Sequence, residues 1–380
     1  MKSFLLTLAL FFALLLPTHA GPVTAVRLPN GGIQPQAVVD GVGELHLIYY
    51  TGDPNAGDVY YIHKPLSKNV PFSEPLRVNS DPGTAIATGT IRGAQLAVGP
   101  NGRVHVVWNS LEPRGVDGVS HQYLAYTRLG VDGQTFERQR NMSLGTGDLD
   151  GGGSVAADGA GDVYAVWHVS PRGKDESQGG VCLARSLDGG RSFRPTRRIN
   201  PEPTGQCGCC AMKAFADSRN GLYVLYRSAQ ANVNRDATLL FSEDKGLNFR
   251  ARTLQKWPAN ACPMSSFSLT EGASGVVGAW ETLGQVYFEP FLANGRGAKA
   301  PLAAPGVGSR KYPFALTNGY GETLLAWVEG AGWGKGGKLE WQMFAKDGKP
   351  TREGGSADGV PVWSLVSGVT QPEGTFVLFY

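Results

Sequence analysis

Charge is scarce in this sequence and close to balanced. Asp, Glu, Lys and Arg make up 18% of the 380 residues, and the formal net charge is +3. The densest basic cluster, Arg191, Arg194, Arg197 and Arg198, sits beside a turn and reads as a solvated strand edge. A nucleic-acid partner is therefore not expected. Sustained helical periodicity is also missing, which excludes helical bundles and alternating α/β designs. Beyond residue 20 no apolar run approaches the roughly 20 residues a spanning helix needs, so no membrane anchor is expected. Cysteine is limited to five residues, too few for a disulfide-dense scaffold.

The one long apolar run, Phe4 to Leu16, follows Lys2 and precedes Thr18-His19-Ala20. That order of charge, apolar stretch and small residues is an export signal. Residues 1–20 are read as a cleaved signal peptide, and 21–380 as one domain, secreted or periplasmic.

Glycine is abundant, at 53 residues, without a collagen-like period. Much of it punctuates one phrase: a turn, a glycine, a short apolar strand and a large aromatic. Gly43 leads to Tyr49, Gly102 to Trp108, Gly161 to Trp167, Gly221 to Tyr226, Gly275 to Trp280, Gly321 to Trp327 and Gly374 to Tyr380. The aromatics recur at intervals of 47 to 59 residues. A strand precedes each turn, from Gln36–Val39 through to Val362–Val366, and further strands follow. Tight turns between such runs give antiparallel hairpins. Repeated four-stranded antiparallel units make an all-β propeller. Seven phrases favour seven blades, with six as the alternative. The last unit has two clear strands, so an N-terminal strand, Val23 to Leu28, is expected to join it and close the ring.

Two turns carry more information. Ser186-Leu187-Asp188-Gly189-Gly190-Arg191-Ser192-Phe193 and Ser242-Glu243-Asp244-Lys245-Gly246-Leu247-Asn248-Phe249 follow third strands in register. Ser186, Asp188, Gly190 and Phe193, and likewise Ser242, Asp244, Gly246 and Phe249, match the Asp-box pattern. In such a turn Asp accepts backbone N–H groups and Gly takes positive φ. On these residues the chain resembles the sialidase-like (neuraminidase superfamily) Asp-box, or BNR-repeat, propellers over essentially all of 21–380. The resemblance implies a secreted, glycan-directed protein, and most directly an exo-acting glycoside hydrolase.

In a propeller, loops entering first strands and leaving second strands share one face. That face would carry Arg92, Asn109, Arg227, Arg235, Arg310 and Lys311 as substrate-binding candidates, and Glu281, Glu329, Tyr312 and His168 as catalytic ones. Arginine holds carboxylates in bidentate fashion, and paired carboxylates do acid–base work on glycosidic bonds. The expected partner is a glycan or small anionic ligand. A non-catalytic glycan- or protein-binding propeller is the second reading.

Cys182 lies among apolar strand residues and reads as a buried thiol. Cys207, Cys209 and Cys210 enter the fourth unit, and Cys262 with Met264 enters the fifth, so adjacent blades bring these loops together. Disulfides are the default for an exported chain. The alternative is a soft-metal site for copper or zinc, with His168 near it; otherwise no cofactor is expected.

Overall fold

The computed structural model describes residues 23–112, 121–146, 149, 151–170, 175–273 and 275–380. The expected signal peptide lies outside these residues. Among them are 27 β-strands, three short 3-10 turns and no α-helix. No described helix is long and apolar enough to cross a membrane.

The strands form seven sheets, each a propeller blade. Six blades have four antiparallel strands in simple meander order. Blade 1 comprises Ile33–Val39, Glu44–Asp53, Ala56–Pro65 and Leu76–Arg77; blade 2 Gln95–Gly99, Arg103–Leu111, Gln122–Arg128 and Arg140–Asn141; blade 3 Gly153–Ala157, Val163–Val169, Gly180–Ser186 and Arg197–Arg198; blade 4 Lys213–Ala216, Leu222–Arg227, Ala237–Ser242 and Arg250–Gln255; blade 5 Phe267–Gly272, Gly275–Thr282, Gln285–Pro290 and Leu302–Ala303; and blade 6 Arg310–Thr317, Thr323–Glu329, Gly337–Phe344 and Pro350–Val360. Blade 7 has Ser367–Thr370 and Phe376–Phe379, and the N-terminal Val23–Val26 completes it. This last strand runs parallel to Phe376–Phe379, with Val23 opposite Phe376 and Val26 opposite Phe379. A parallel pair needs a long connection, and here the whole ring is that connection. Arg27 fastens the junction, donating to the Gly359 and Asp358 carbonyls and lying 4.9 Å from the Tyr380 ring centroid.

One expected strand is displaced. Val362–Val366 is not the first strand of blade 7; Ser367–Thr370 is. The Gln371–Gly374 turn fixes the hairpin register, with Thr370 opposite Phe376. A turn closed by Ser364 N–H to the Pro361 carbonyl occupies the preceding residues, and Trp363 takes φ 65° there.

Side chains alternate across a strand, and both sides of each blade are covered. In blade 3, Val163, Ala165, Trp167 and Val169 pack toward blade 2, while Tyr164 and Val166 pack toward blade 4. This is why the second strands read as continuous apolar runs. The seven core clusters among the described residues each join one blade to the next, the last joining blade 7 to blade 1. Trp108, Trp167 and Trp280 are at most 1% exposed; truncating such a side chain costs about 3–5 kcal/mol.

The turns between first and second strands of blades 3 and 4 share one device. Asp158 accepts the N–H groups of Ala160 and Asp162 and the Tyr164 hydroxyl. Asp217 does the same for Arg219, Gly221 and Tyr223. The two serine–aspartate turns, between third and fourth strands, lie on this same face, opposite the loops that enter first strands and leave second strands, and Lys245 of one bonds Asp162 at 2.7 Å. Ser192 N–H donates to Asp188 at 2.9 Å, and Asn248 N–H to Asp244 at 2.8 Å. Gly190 and Gly246 take φ 77° and 73°, and their N–H groups donate to Ser186 and Ser242. Phe193 packs against Tyr126 of blade 2, so its ring fills the gap between blades and not the blade interior.

First strands line the central channel. Lys213 reaches across it from blade 4 and donates to Gln36 of blade 1 and Gln95 of blade 2, at 3.1 and 2.8 Å.

Candidate functional site

The residue after each second-strand aromatic was expected to project into an open site. The structure gives it another task. Five of these residues point toward the entry loop of the next blade. The Tyr50 hydroxyl donates to the Ala85 carbonyl at 3.1 Å. Asn109 donates to the Gly151 carbonyl at 2.9 Å and is fully buried. Arg227, also fully buried, donates to the Ser265 hydroxyl at 2.6 Å and to the Arg235 and Glu281 carbonyls. Glu281 accepts from Lys311 Nζ at 2.8 Å and from the Tyr312 N–H at 3.1 Å. These are latches between blades: an unmade buried polar contact costs about 1–3 kcal/mol, so each fixes the neighbouring loop.

His168 occupies the same position in blade 3 and is fully buried, yet neither ring nitrogen has a hydrogen-bond partner. Burial and the nearby Arg92 charge push its pKa down to about 3, so the imidazole is neutral. A methyl group added at Gly151 would clash with both His168 Nδ1 and the Gly208 carbonyl oxygen. The imidazole therefore faces the cysteine loop of blade 4.

The remaining candidates are similarly engaged. Tyr312 is 4% exposed, with φ 57°, and burial raises its pKa. Arg235 pairs with Glu176 at 2.5 Å, and Arg310 donates to Gln285, Ala304 and Pro305. Glu329 accepts the Ser309 N–H at 2.6 Å and lies 3.4 Å from Arg310. Burial raises the Glu281 carboxyl, with Lys311, the Tyr312 N–H and Arg227 pulling it back. Arg227, Asn109, Tyr312 and His168 thus do not stand on an open surface: the blade interfaces close over them.

What the face does hold is a cavity of about 310 Å³ where blades 4, 5 and 6 meet the loop entering blade 2. One side is sulfur: Cys209, Cys262 and Met264. The other has Ile91, Arg92 and Trp333, with Gly89 between them. A methyl group at Gly89 would sit 2.9 Å from Arg92 Nη1 and 3.2 Å from the Trp333 ring, so the glycine lets these two approach. Trp333 is 61% exposed and braced edge-on by Trp363, at 4.7 Å between centroids. Neither tryptophan was singled out in the sequence. Both stand on loops of the predicted face, after the second strand of blade 6 and before the first strand of blade 7, and that position was the available signal.

Cys209 and Cys262 form a disulfide, with Cα atoms 6.2 Å apart. Cys182, Cys207 and Cys210 are free and buried. Burial pushes the Cys182 thiol up to about 11. Cys207 Sγ lies 3.2 Å from the sulfurs of both Cys209 and Cys210. Burial works against a Cys210 thiolate, but the Cys207 S–H, Arg227 and Ser265 outweigh it and lower the Cys210 pKa to about 7.

No family model and no curated protein matches the chain. Solved structures do match in fold. An α-L-arabinanase from Penicillium chrysogenum complexed with arabinobiose aligns with TM-score 0.53 and 12% identity, over 83% of this chain and 94% of that one. An α-L-arabinofuranosidase from Fusarium graminearum in complex with an iminosugar inhibitor gives 0.52 and 12%, over 83% and 93%. A sialidase from Trypanosoma rangeli in complex with the inhibitor DANA gives 0.50 and 10%, over 80% of this chain and 53% of the sialidase. The chain thus spans about half of that sialidase. At these identities the likeness is one of fold alone: an antiparallel β-propeller.

Proposed function

We propose that this protein is a glycan-directed propeller that binds an acidic saccharide in the cavity beside the cysteine loops. The observation that carries the reading is the pairing of Trp333 with Arg92 across Gly89. An exposed, braced indole offers a flat apolar face to a sugar ring, and an adjacent guanidinium suits a sugar carboxylate. A concave site of this size with a few placed polar groups is the usual form of a small-ligand pocket. Solved propellers of this fold hold arabinobiose and an iminosugar inhibitor, which supports a saccharide over other small anions.

Binding without hydrolysis fits the geometry best. Glu281 and Glu329 are each committed to a neighbouring cation and a backbone N–H. A hydrolase needs one carboxyl to protonate the leaving oxygen and another to attack or to activate water. The hydrolytic reading rests on Glu281, whose raised carboxyl is linked through Lys311 to the carbonyls of Pro263 and Met264 at the cavity wall.

Calorimetric titration with sialosides, uronic-acid oligosaccharides and arabino-oligosaccharides, with product release followed in parallel, tests both. Binding of an acidic sugar without release is expected. Release that disappears in Glu281→Gln would transfer the assignment to a hydrolase. Failure to bind any acidic saccharide would reject the proposal.

A further inference from the structure

Behind the sulfur wall of the cavity lies a second constellation that the saccharide reading does not use. We propose that Cys207 and Cys210 form a buried site for one soft monovalent cation, Cu(I), loaded through the cavity in front of them. The two sulfurs are fully buried, free and 3.2 Å apart, on either side of a two-residue loop. Thiolates select Cu(I) or Zn over hard cations.

The site is bordered by the one interblade latch among the described residues that lacks a partner. Tyr50, Asn109, Arg227 and Glu281 all hydrogen-bond to the next blade. His168 is fully buried without a bond at either nitrogen, and it faces Gly208, between the cysteines. Leaving a buried imidazole unsatisfied is costly; its nitrogens stand outside the sulfur cluster of Cys207, Cys209 and Cys210, so it borders the site and is not counted among its ligands.

Charge points the same way. Two thiolates around one Cu(I) carry a net negative charge. Arg227 stands behind Cys210 through Ser265: Arg227 Nε donates to Ser265 Oγ at 2.6 Å, and Ser265 Oγ to Cys210 Sγ at 3.3 Å. The other donors of Arg227 reach only neutral carbonyls, and Glu281 is already paired with Lys311. The buried guanidinium is thus placed to balance a copper bis-thiolate.

Coordination number separates the two metals. Zinc takes four ligands in closed sites. The Cys209–Cys262 disulfide withdraws the third cysteine and leaves two thiolates. That set suits Cu(I), which is satisfied by two or three soft donors. Cys209, Cys262 and the Met264 thioether line the cavity in front, a soft-donor path inward. The ion enters as Cu(I), so no electron is transferred; the two thiol protons pass to solvent as the sulfurs bind.

The test is an anaerobic Cu(I) titration of the full chain, purified without chelator or reductant, against a chromophoric Cu(I) chelator. One Cu(I) per chain is expected, with sulfur neighbours in the copper absorption edge. Cys207→Ser and Cys210→Ser should abolish binding. Ser265→Ala should weaken binding about 10- to 100-fold, and Cys182→Ser should leave it unchanged. Thiol counting on denatured, metal-free, unreduced protein supplies a check that does not depend on variants folding. Three thiols are expected. A single thiol, meaning that Cys207 and Cys210 are bridged, would overturn the proposal. So would Cu(I) that stays with the chelator, or binding that survives in folded Cys207→Ser protein. Loss of copper binding would leave the saccharide assignment untouched, because Trp333 and Arg92 are not ligands.

Discussion

His105 shows how far the role of a residue depends on what closes over it. Its Nδ1 lies 2.8 Å from the Tyr126 hydroxyl, the same contact that His46 makes with Tyr61 one blade earlier. Burial, aided by Arg128 and Arg103, lowers its pKa to about 3. The unfolded chain binds a proton near pH 6.5, so between pH 6.5 and 3 it holds more protons than the folded one. The stabilising contribution is full above pH 6.5 and is lost as pH falls through that window. Urea denaturation at pH 7 and pH 4 checks this. His105→Gln should lose less stability across the interval than the wild type, by roughly 3 kcal/mol at about 1.4 kcal/mol per pH unit; equal losses would contradict it. A packing role for His46 and His105 is legible because both sit inside apolar strands. The latch role of Asn109, Arg227 and Glu281 is not. A polar residue at a strand end reads the same whether it meets solvent or the next blade, and only the closeness of adjacent blades decides.

At the scale of the element, the blade was the most legible unit. The glycine turn and aromatic set the first hairpin, and Asp158 and Asp217 show why: one carboxylate satisfies two turn N–H groups and the tyrosine two residues beyond. The misplaced strand at Val362–Val366 came from reading apolar content without the register imposed by Gln371–Gly374. The serine–aspartate turns yield a prediction of their own. Asp244 accepts from the N–H groups of Leu247 and Asn248, and the Asn248 N–H above all holds its carboxyl down at about 2. Asp244→Ala should lower stability by about 1–2 kcal/mol. Asp244→Asn, which keeps one acceptor oxygen, should lower it less. Thermal unfolding of the two variants gives the comparison, and losses near zero in both would show that the turn bonds contribute nothing.

For the whole molecule, stability depends on closure. Each core cluster is shared by two blades, so no blade owns a core, and the ring needs Val23–Val26 to cover the edge at Phe376–Phe379. Deleting residues 23–28 removes that strand and the Arg27 clasp. The deletion should convert a single unfolding transition into a broadened one with a lower midpoint and should promote aggregation through the exposed edge. A sharp transition at the original midpoint would contradict closure by this strand. The rigid ring is also what holds Trp333, Trp363 and Arg92 in place, from three different loops. The most direct test of the functional account is therefore the affinity of the tightest-binding acidic saccharide for the wild type, Trp333→Ala and Arg92→Gln. The account predicts at least about a tenfold loss in each variant, or about 1.4 kcal/mol, with unfolding midpoints unchanged. Unaltered affinity in both variants would contradict it.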